Sequence, residues 1–176
     1  TVLSRGLGDV YKRQVLKYRA MKYGIAADWL YRAGDKWNNY TQRYSLDWHC
    51  DLLDALSDFG ASARVKLNEI CAILGYPGKV GVDGSKVQDL FDQGDMVAIR
   101  DYCETDVLNT YLVYLRLMMH RGVISKSNYD RAIMDVCDEI KQGIKDGKAH
   151  MLEFALAWKD SSEEPLFEEV EQVICA

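Results

Sequence analysis

Long hydrophobic runs are missing from this sequence: no apolar stretch approaches the roughly 20 residues that a membrane-spanning helix needs, so no membrane role is expected. The start also lacks the apolar core and small-residue cleavage site of a secretory signal, which leaves the cytoplasm as the expected location. The five cysteines, Cys50, Cys71, Cys103, Cys137 and Cys175, form no CxxC pair and are odd in number. That spacing excludes a zinc-ribbon site and a disulfide framework, and predicts reduced, mostly buried thiols. Positive charge is in short supply. With 22 lysines and arginines against 27 acidic residues the net charge is -5, which excludes a broad phosphate-binding surface of the repressor or histone kind. It leaves room for a site where carboxylate-bound metal ions meet a phosphate locally. Only two prolines occur, there are no internal repeats or low-complexity linkers, and the composition is 48% hydrophobic and 28% charged. Such a chain is an ordinary globular one, long enough for a real core in one domain with room for a small appendage.

The first fourteen residues read differently from the rest. Asp9-Val10-Tyr11-Lys12-Arg13-Gln14 is the translation of GAT GTG TAT AAG AGA CAG, which resembles a transposon end used in preparing sequencing libraries. Residues 1–14 are therefore expected to be foreign and the natural protein to start near Val15; the alternative is a genuine basic arm.

From Val15 to Tyr23, Leu16, Ala20 and Tyr23 recur at helical spacing and Gly24 is a natural stop. From Ala27 to Trp48 the pattern dissolves: Trp29, Tyr31, Trp37, Tyr40, Tyr44 and Trp48 interleave with Arg32, Lys36 and Arg43. Aromatic and basic residues mixed in this way can stack bases and hold a single strand, with Trp37 and Tyr40 as the candidates, or they can pin down a long loop. His49 to Leu53 is a short candidate strand, followed by a helix ending near Gly60. Lys66 to Leu74 predicts another helix, and Gly75-Tyr76-Pro77-Gly78-Lys79 a turn. That turn lacks the GxxxxGK spacing and the Ser or Thr of a Walker loop, so nucleoside triphosphate binding is excluded. Its Lys79 is either a substrate-phosphate contact or a solvated turn lysine. Ser85-x-x-Gln88 predicts a capping box opening a helix to about Gln93. The strongest helix lies between Asp95 and His120, with Ile99, Cys103, Val107, Thr110, Tyr114 and Leu117 drawing one apolar stripe. Two further helices are expected at Ser127 to Lys145 and Lys148 to Trp158, then an acidic tail. His49, His120 and His150 are far apart and have no ligand spacing.

Tyr102 and Asp106 lie one turn apart on a single face of the strongest helix. Asp106 stands at the edge of the apolar stripe, and no lysine or arginine occupies the positions one turn before or after it. A carboxylate facing a core is costly unless a cation or hydrogen bonds compensate it. A magnesium or manganese ion shared with other acidic residues would do so, as would capping of a neighbouring element.

Tyr102-Cys103-Glu104-Thr105-Asp106 resembles the Y-x-x-x-D motif of the proofreading exonucleases that use three aspartates, one glutamate and a tyrosine. With His49-Cys50-Asp51-Leu52-Leu53-Asp54, Gly75-Tyr76-Pro77-Gly78-Lys79, Asp83-Gly84-Ser85 and the continuation Val107-Leu108-Asn109-Thr110-Tyr111, the ordered string resembles predicted bacterial 3′–5′ exonucleases related to the exonuclease domain of family B DNA polymerases. The resemblance spans roughly Val15 to Trp158. It implies an α/β, ribonuclease-H-like domain that removes nucleotides from single-stranded or frayed 3′ ends of DNA, with RNA as the alternative. It also implies two magnesium or manganese ions held by four carboxylates, with Asp106 as the last ligand and Tyr102 orienting the attacking water. The family's D-x-E strand has no counterpart here, and Lys12 falls where the acid of its F-D-x-P motif belongs. The expectation is therefore a chain without its first strands, mostly helical and inactive as it stands, with residues 15–122 from the exonuclease domain and 123–176 a helical extension and tail. Asp51 and Asp54 are expected to be structural or supporting groups. The rival reading is a non-catalytic nucleic-acid-binding module of the same fold. Protein partners are not legible in the sequence.

Overall fold

The computed structural model describes residues 9–42, 44–81 and 84–161, with the backbone alone for 9–13. Residues 1–8 of the segment read as foreign, the acidic tail from 162, Arg43, Asp83 and Cys175 lie outside the described residues, as does the side chain of Lys12. The chain forms two compact units, one within Arg5–Lys66 and one from Leu67 onward.

The first unit begins with α1, Asp9–Lys22, whose last turn carries Arg19 and Lys22 beside the negative end of the helix dipole. A short α2, Asp28–Arg32, and an isolated Gly34–Asn39 bridge follow. The strand expected at His49 to Leu53 does not form, and no strand exists among the described residues. Instead, the Asp51 carboxylate accepts the N–H groups of Leu53 (3.0 Å) and Asp54 (3.2 Å) and caps α3, Leu52–Leu56. An extended segment needs a neighbouring ladder for its backbone; a capping aspartate satisfies the first turn of a helix locally. A 3₁₀ turn at Asp58–Gly60 ends the segment. The buried side chains described here are Asp51, Asp54 and Ser57, all polar, while Leu16, Met21, Ile25, Trp29 and Trp37 are exposed. Hydrogen bonds rather than apolar burial hold this unit's shape.

The second unit is a helical cluster around one long helix. α4, Leu67–Leu74, is followed by the Gly75–Lys79 turn, a 3₁₀ turn at Gly84–Lys86 and α5, Val87–Asp92. The N-cap of α5 is Lys86, so the expected Ser85 capping box does not open it. α6, Met96–His120, starts where the Asp95 side chain accepts the Ala98 N–H. It packs against α4, α5, α7 (Lys126–Lys145) and α8 (Ala149–Ser161). On α7, Tyr129, Ile133, Val136, Cys137 and Ile140 are buried at the three-to-four spacing of one helix face.

The face of α6 that is buried is not the stripe expected from the sequence. Thr105, Asn109, Leu112, Val113, Leu115 and Met118 point inward, while Cys103, Val107 and Tyr114 are exposed. α6 carries apolar residues at both sets of positions, so spacing alone permits either face; packing against α4, α7 and α8 selects one. Of the four described cysteines, Cys71 and Cys137 are buried, Cys50 is half-buried and Cys103 is exposed. Among the described residues no helix is long and apolar enough to cross a membrane.

Candidate functional site

Tyr102 and Asp106 are both half-buried, one turn apart on α6. The Tyr102 side chain reaches the backbone of the Gly84 turn: a β-carbon built on Gly84 would stand 2.8 Å from the tyrosine hydroxyl oxygen, so only glycine lets it come this close. Around them the helix satisfies its own polar groups. The Thr105 hydroxyl donates to the Tyr102 carbonyl (2.9 Å), and the Thr110 hydroxyl donates to the Asp106 carbonyl (2.7 Å). Among the described residues no hydrogen bond or ion pair engages the Asp106 carboxylate.

The neighbourhood of Asp106 is built by a residue that sequence reasoning missed. Asn109, one turn further along α6 and almost fully buried, grips both backbone polar groups of Gly78 in the Gly75–Lys79 turn. Its amide nitrogen donates to the Gly78 carbonyl (2.5 Å) and to the Thr105 carbonyl (3.2 Å), while its oxygen accepts the Gly78 N–H (3.1 Å). The Cys71 thiol donates to the same oxygen (3.6 Å). From α4, the Asn68 side chain accepts the Lys79 N–H (2.8 Å). Two asparagines thus fix the turn that carries Lys79, whose side chain is exposed. The available signal was a lone amide inside the apolar run of α6, since a buried polar side chain must have partners.

Electrostatics support the same cluster. Burial pushes the Cys71 thiol up to about 12; a hydrogen bond from the Gly78 backbone opposes this, and the negative charge of Asp106 adds to it. Cys71 is therefore a neutral packing group. At the outer part of the motif, burial would raise the Glu104 carboxyl, but hydrogen bonds from His150 (2.8 Å) and Lys148 (3.1 Å) hold it below its ordinary value. The two ring nitrogens of His150 face different carboxylates, with Nδ1 3.4 Å from Asp101 and Nε2 against Glu104. This arrangement ties α8 to α6 and explains why a histidine without ligand spacing in the sequence is nonetheless engaged.

The remaining candidates lie in the unit Arg5–Lys66. Asp51 caps α3, and the Asp54 carboxylate meets Arg64 at 2.7 Å. Tyr40 is half-buried against His49, with ring centroids 5.6 Å apart and its hydroxyl 3.4 Å from Nδ1. Trp37 is 78% exposed, with the Lys36 ammonium 4.7 Å from its ring centre. Among the described residues, no three His, Cys, Asp or Glu side chains come together in a group that could hold a metal ion.

Residues 8–158, most of the chain, match a family described as predicted 3′–5′ exonucleases related to the exonuclease domain of PolB. No curated protein and no solved structure matches the chain.

Proposed function

The chain belongs to the family of predicted 3′–5′ exonucleases related to the exonuclease domain of PolB, and from that membership we propose that it serves in trimming single-stranded or frayed 3′ ends of DNA, with RNA as the alternative. The observation that carries this reading is the pair on α6. Asp106 offers a half-buried carboxylate engaged by no protein cation among the described residues, and Tyr102 presents a hydroxyl one turn away. A hard divalent ion, magnesium or manganese, is the partner such a carboxylate suits. Asp106 alone does not make a centre for two ions, which together need many oxygen donors, and no described acidic or histidine side chain completes a group with it. In this proposal the chain by itself binds nucleic acid without cleaving it. The ribonuclease-H-like sheet belongs to the same proposal, because the described part is helical and without strands. In this reading Lys79 meets phosphate from its clamped turn, and Trp37 and Tyr40 meet bases. Asp51 and Asp54 serve the scaffold.

Two assays test it. Incubated with magnesium or manganese, the 176-residue chain should bind a labelled single strand and leave its length unchanged. Preceded at Val15 by a segment that carries the family's D-x-E and F-D-x-P motifs, it should shorten the strand from the 3′ end. In that longer protein Asp106→Asn should lower the rate by orders of magnitude, and Tyr102→Phe by about 10²–10³, the range for a single positioning donor. An Asp106→Asn rate within a few-fold of the unsubstituted enzyme overturns the assignment. No shortening by the longer protein favours the non-catalytic binding module.

A further inference from the structure

Hydrogen bonds hold the loop from Asp35 to Gln42 more tightly than a surface connection requires. One Asp35 carboxylate oxygen accepts the N–H groups of Trp37 and Asn38, each at 2.7 Å, and the Asp35 N–H donates to the Asn38 carbonyl at 2.9 Å. The Asn39 amide donates to the Asp35 carbonyl (2.6 Å), and the Gln42 amide to the Lys36 carbonyl (3.2 Å). Trp48 closes the loop from below, its indole N–H donating to the Asn38 side-chain oxygen at 2.6 Å. Gly34 has φ +84°, and a β-carbon there would collide with the Asn38 carbonyl and lie 3.0 Å from the Trp48 ring. The loop's shape is thus set before anything binds to it, which lowers the ordering cost of association.

What this frame displays is Trp37. Leaving the largest apolar side chain in water forgoes considerable burial energy, and rigidly held exposed tryptophans are the residues that dominate binding surfaces. The chemistry around it selects the occupant. A protein or lipid surface calls for contiguous apolar area, but Trp37 is flanked in sequence by Asp35, Lys36, Asn38 and Asn39, and the nearby Tyr40 is half-buried against His49. An exposed aromatic face with a cation beside it suits one flat base and its phosphate. Charge agrees: residues 15–66 carry eight lysines and arginines against six acidic residues, whereas residues 67–176 carry eleven against twenty. The Asp35 carboxylate is turned onto backbone N–H groups.

We propose that the Asp35–Gln42 loop is a preorganised base-stacking element, in which Trp37 stacks on one unpaired base of a single-stranded nucleic acid and Lys36 meets the adjoining phosphate. Asp35, Asn39 and Trp48 are its positioning residues. The proposal rests on the 3′-end reading, and it specifies how that reading's Trp37 contact is built.

The test is anisotropy titration of the 176-residue chain with a labelled single-stranded 12-mer, in calcium, at several salt concentrations. A blunt duplex and 12-mers with one abasic site moved along the strand serve as comparison ligands. Trp37→Ala should weaken single-strand binding by about 10-fold with the salt slope unchanged, the scale of one stacked base. One abasic position should cost the unsubstituted protein a similar factor and cost Trp37→Ala nothing further. Lys36→Ala should flatten the salt dependence by about one phosphate contact. Trp37→Phe should recover much of the loss, and Asp35→Ala should lose affinity while keeping the abasic effect. If Trp37→Ala binds as the unsubstituted chain does, if the abasic penalty persists in Trp37→Ala, or if the blunt duplex binds equally well, the loop proposal falls and the family reading stands. If the chain binds no single strand even at low salt, both fall.

Discussion

The two units of this protein solve the folding problem by different means. From Leu67 onward, α6 is wrapped by α4, α5, α7 and α8, and the buried set is dominated by large apolar side chains such as Leu112, Tyr129, Phe154 and Trp158. Within Arg5–Lys66 the buried side chains described are Asp51, Asp54 and Ser57, and Trp29 and Trp37 face water. One unit is acidic in sequence and built on apolar burial. The other is slightly basic and held by caps, turns and an ion pair. Apolar burial is the dominant stabilising term in folding, while a single hydrogen bond contributes modestly, so resistance to unfolding should be concentrated in the helical cluster. A scaffold can be acidic and still belong to a nucleic-acid enzyme if contact is delegated to a small basic, aromatic segment and to a metal-binding carboxylate.

The sharpest way to break this contrast is to make comparable truncations in both units. Phe154→Ala empties a fully buried site between Trp158 and its neighbours and should cost about 3–5 kcal/mol, whereas Trp37→Ala, the larger deletion, should stay within about 0.5 kcal/mol. Urea melts followed by circular dichroism measure both, and equal costs would erase the distinction. Next in size is Asn109→Leu, which strips the Gly78 N–H and carbonyl of their partners inside the second unit and should cost about 2–3 kcal/mol. Amide exchange at Gly78 and Lys79 should quicken together; unchanged exchange would mean the turn does not depend on the clamp. Asp51→Ala removes the α3 cap and should cost about 1 kcal/mol, with faster exchange confined to Leu53 and Asp54. Spread of that effect into α6–α8 would show that the units are more tightly coupled than their separate cores imply.

The smallest effect at neutral pH concerns Cys71. The unfolded thiol ionises near 9 and the folded one near 12, so the folded state keeps its full advantage below 9 and loses it progressively as pH rises toward 12. At pH 8 an alkylating reagent should modify exposed Cys103 and spare Cys71 until the protein unfolds. Equal labelling of the two under native conditions would show that the α4–α6 contact is open.

The helices whose ends carry explicit local signals were readable from the sequence: the Gly24 stop, the turn from Gly75 and the Asp95 start are interactions within a few residues. So was the pairing of Tyr102 with Asp106, which follows from helical spacing alone. The His49–Leu53 segment was misread because so short a mixed run fits a strand or a capped turn equally well until neighbours exist to complete a ladder. The Asp35–Gln42 loop posed the same difficulty. Composition could not separate aromatics that brace from aromatics that are displayed, and only the fold divides Trp48 from Trp37.

By itself, then, the sequence determined the family, the order of the helices from α4 to α8 and the residues of the α6 motif, because these rest on local spacing and ordered motifs. Tertiary structure decided which face of α6 is buried. It also decided that Asn109 clamps the turn bearing Lys79, and that Glu104 meets His150 some forty-six positions away. The physical reason is the range of the interactions. Caps, turns and helical faces are fixed within one or two turns of chain. Burial and polar satisfaction depend on partners that only folding brings near.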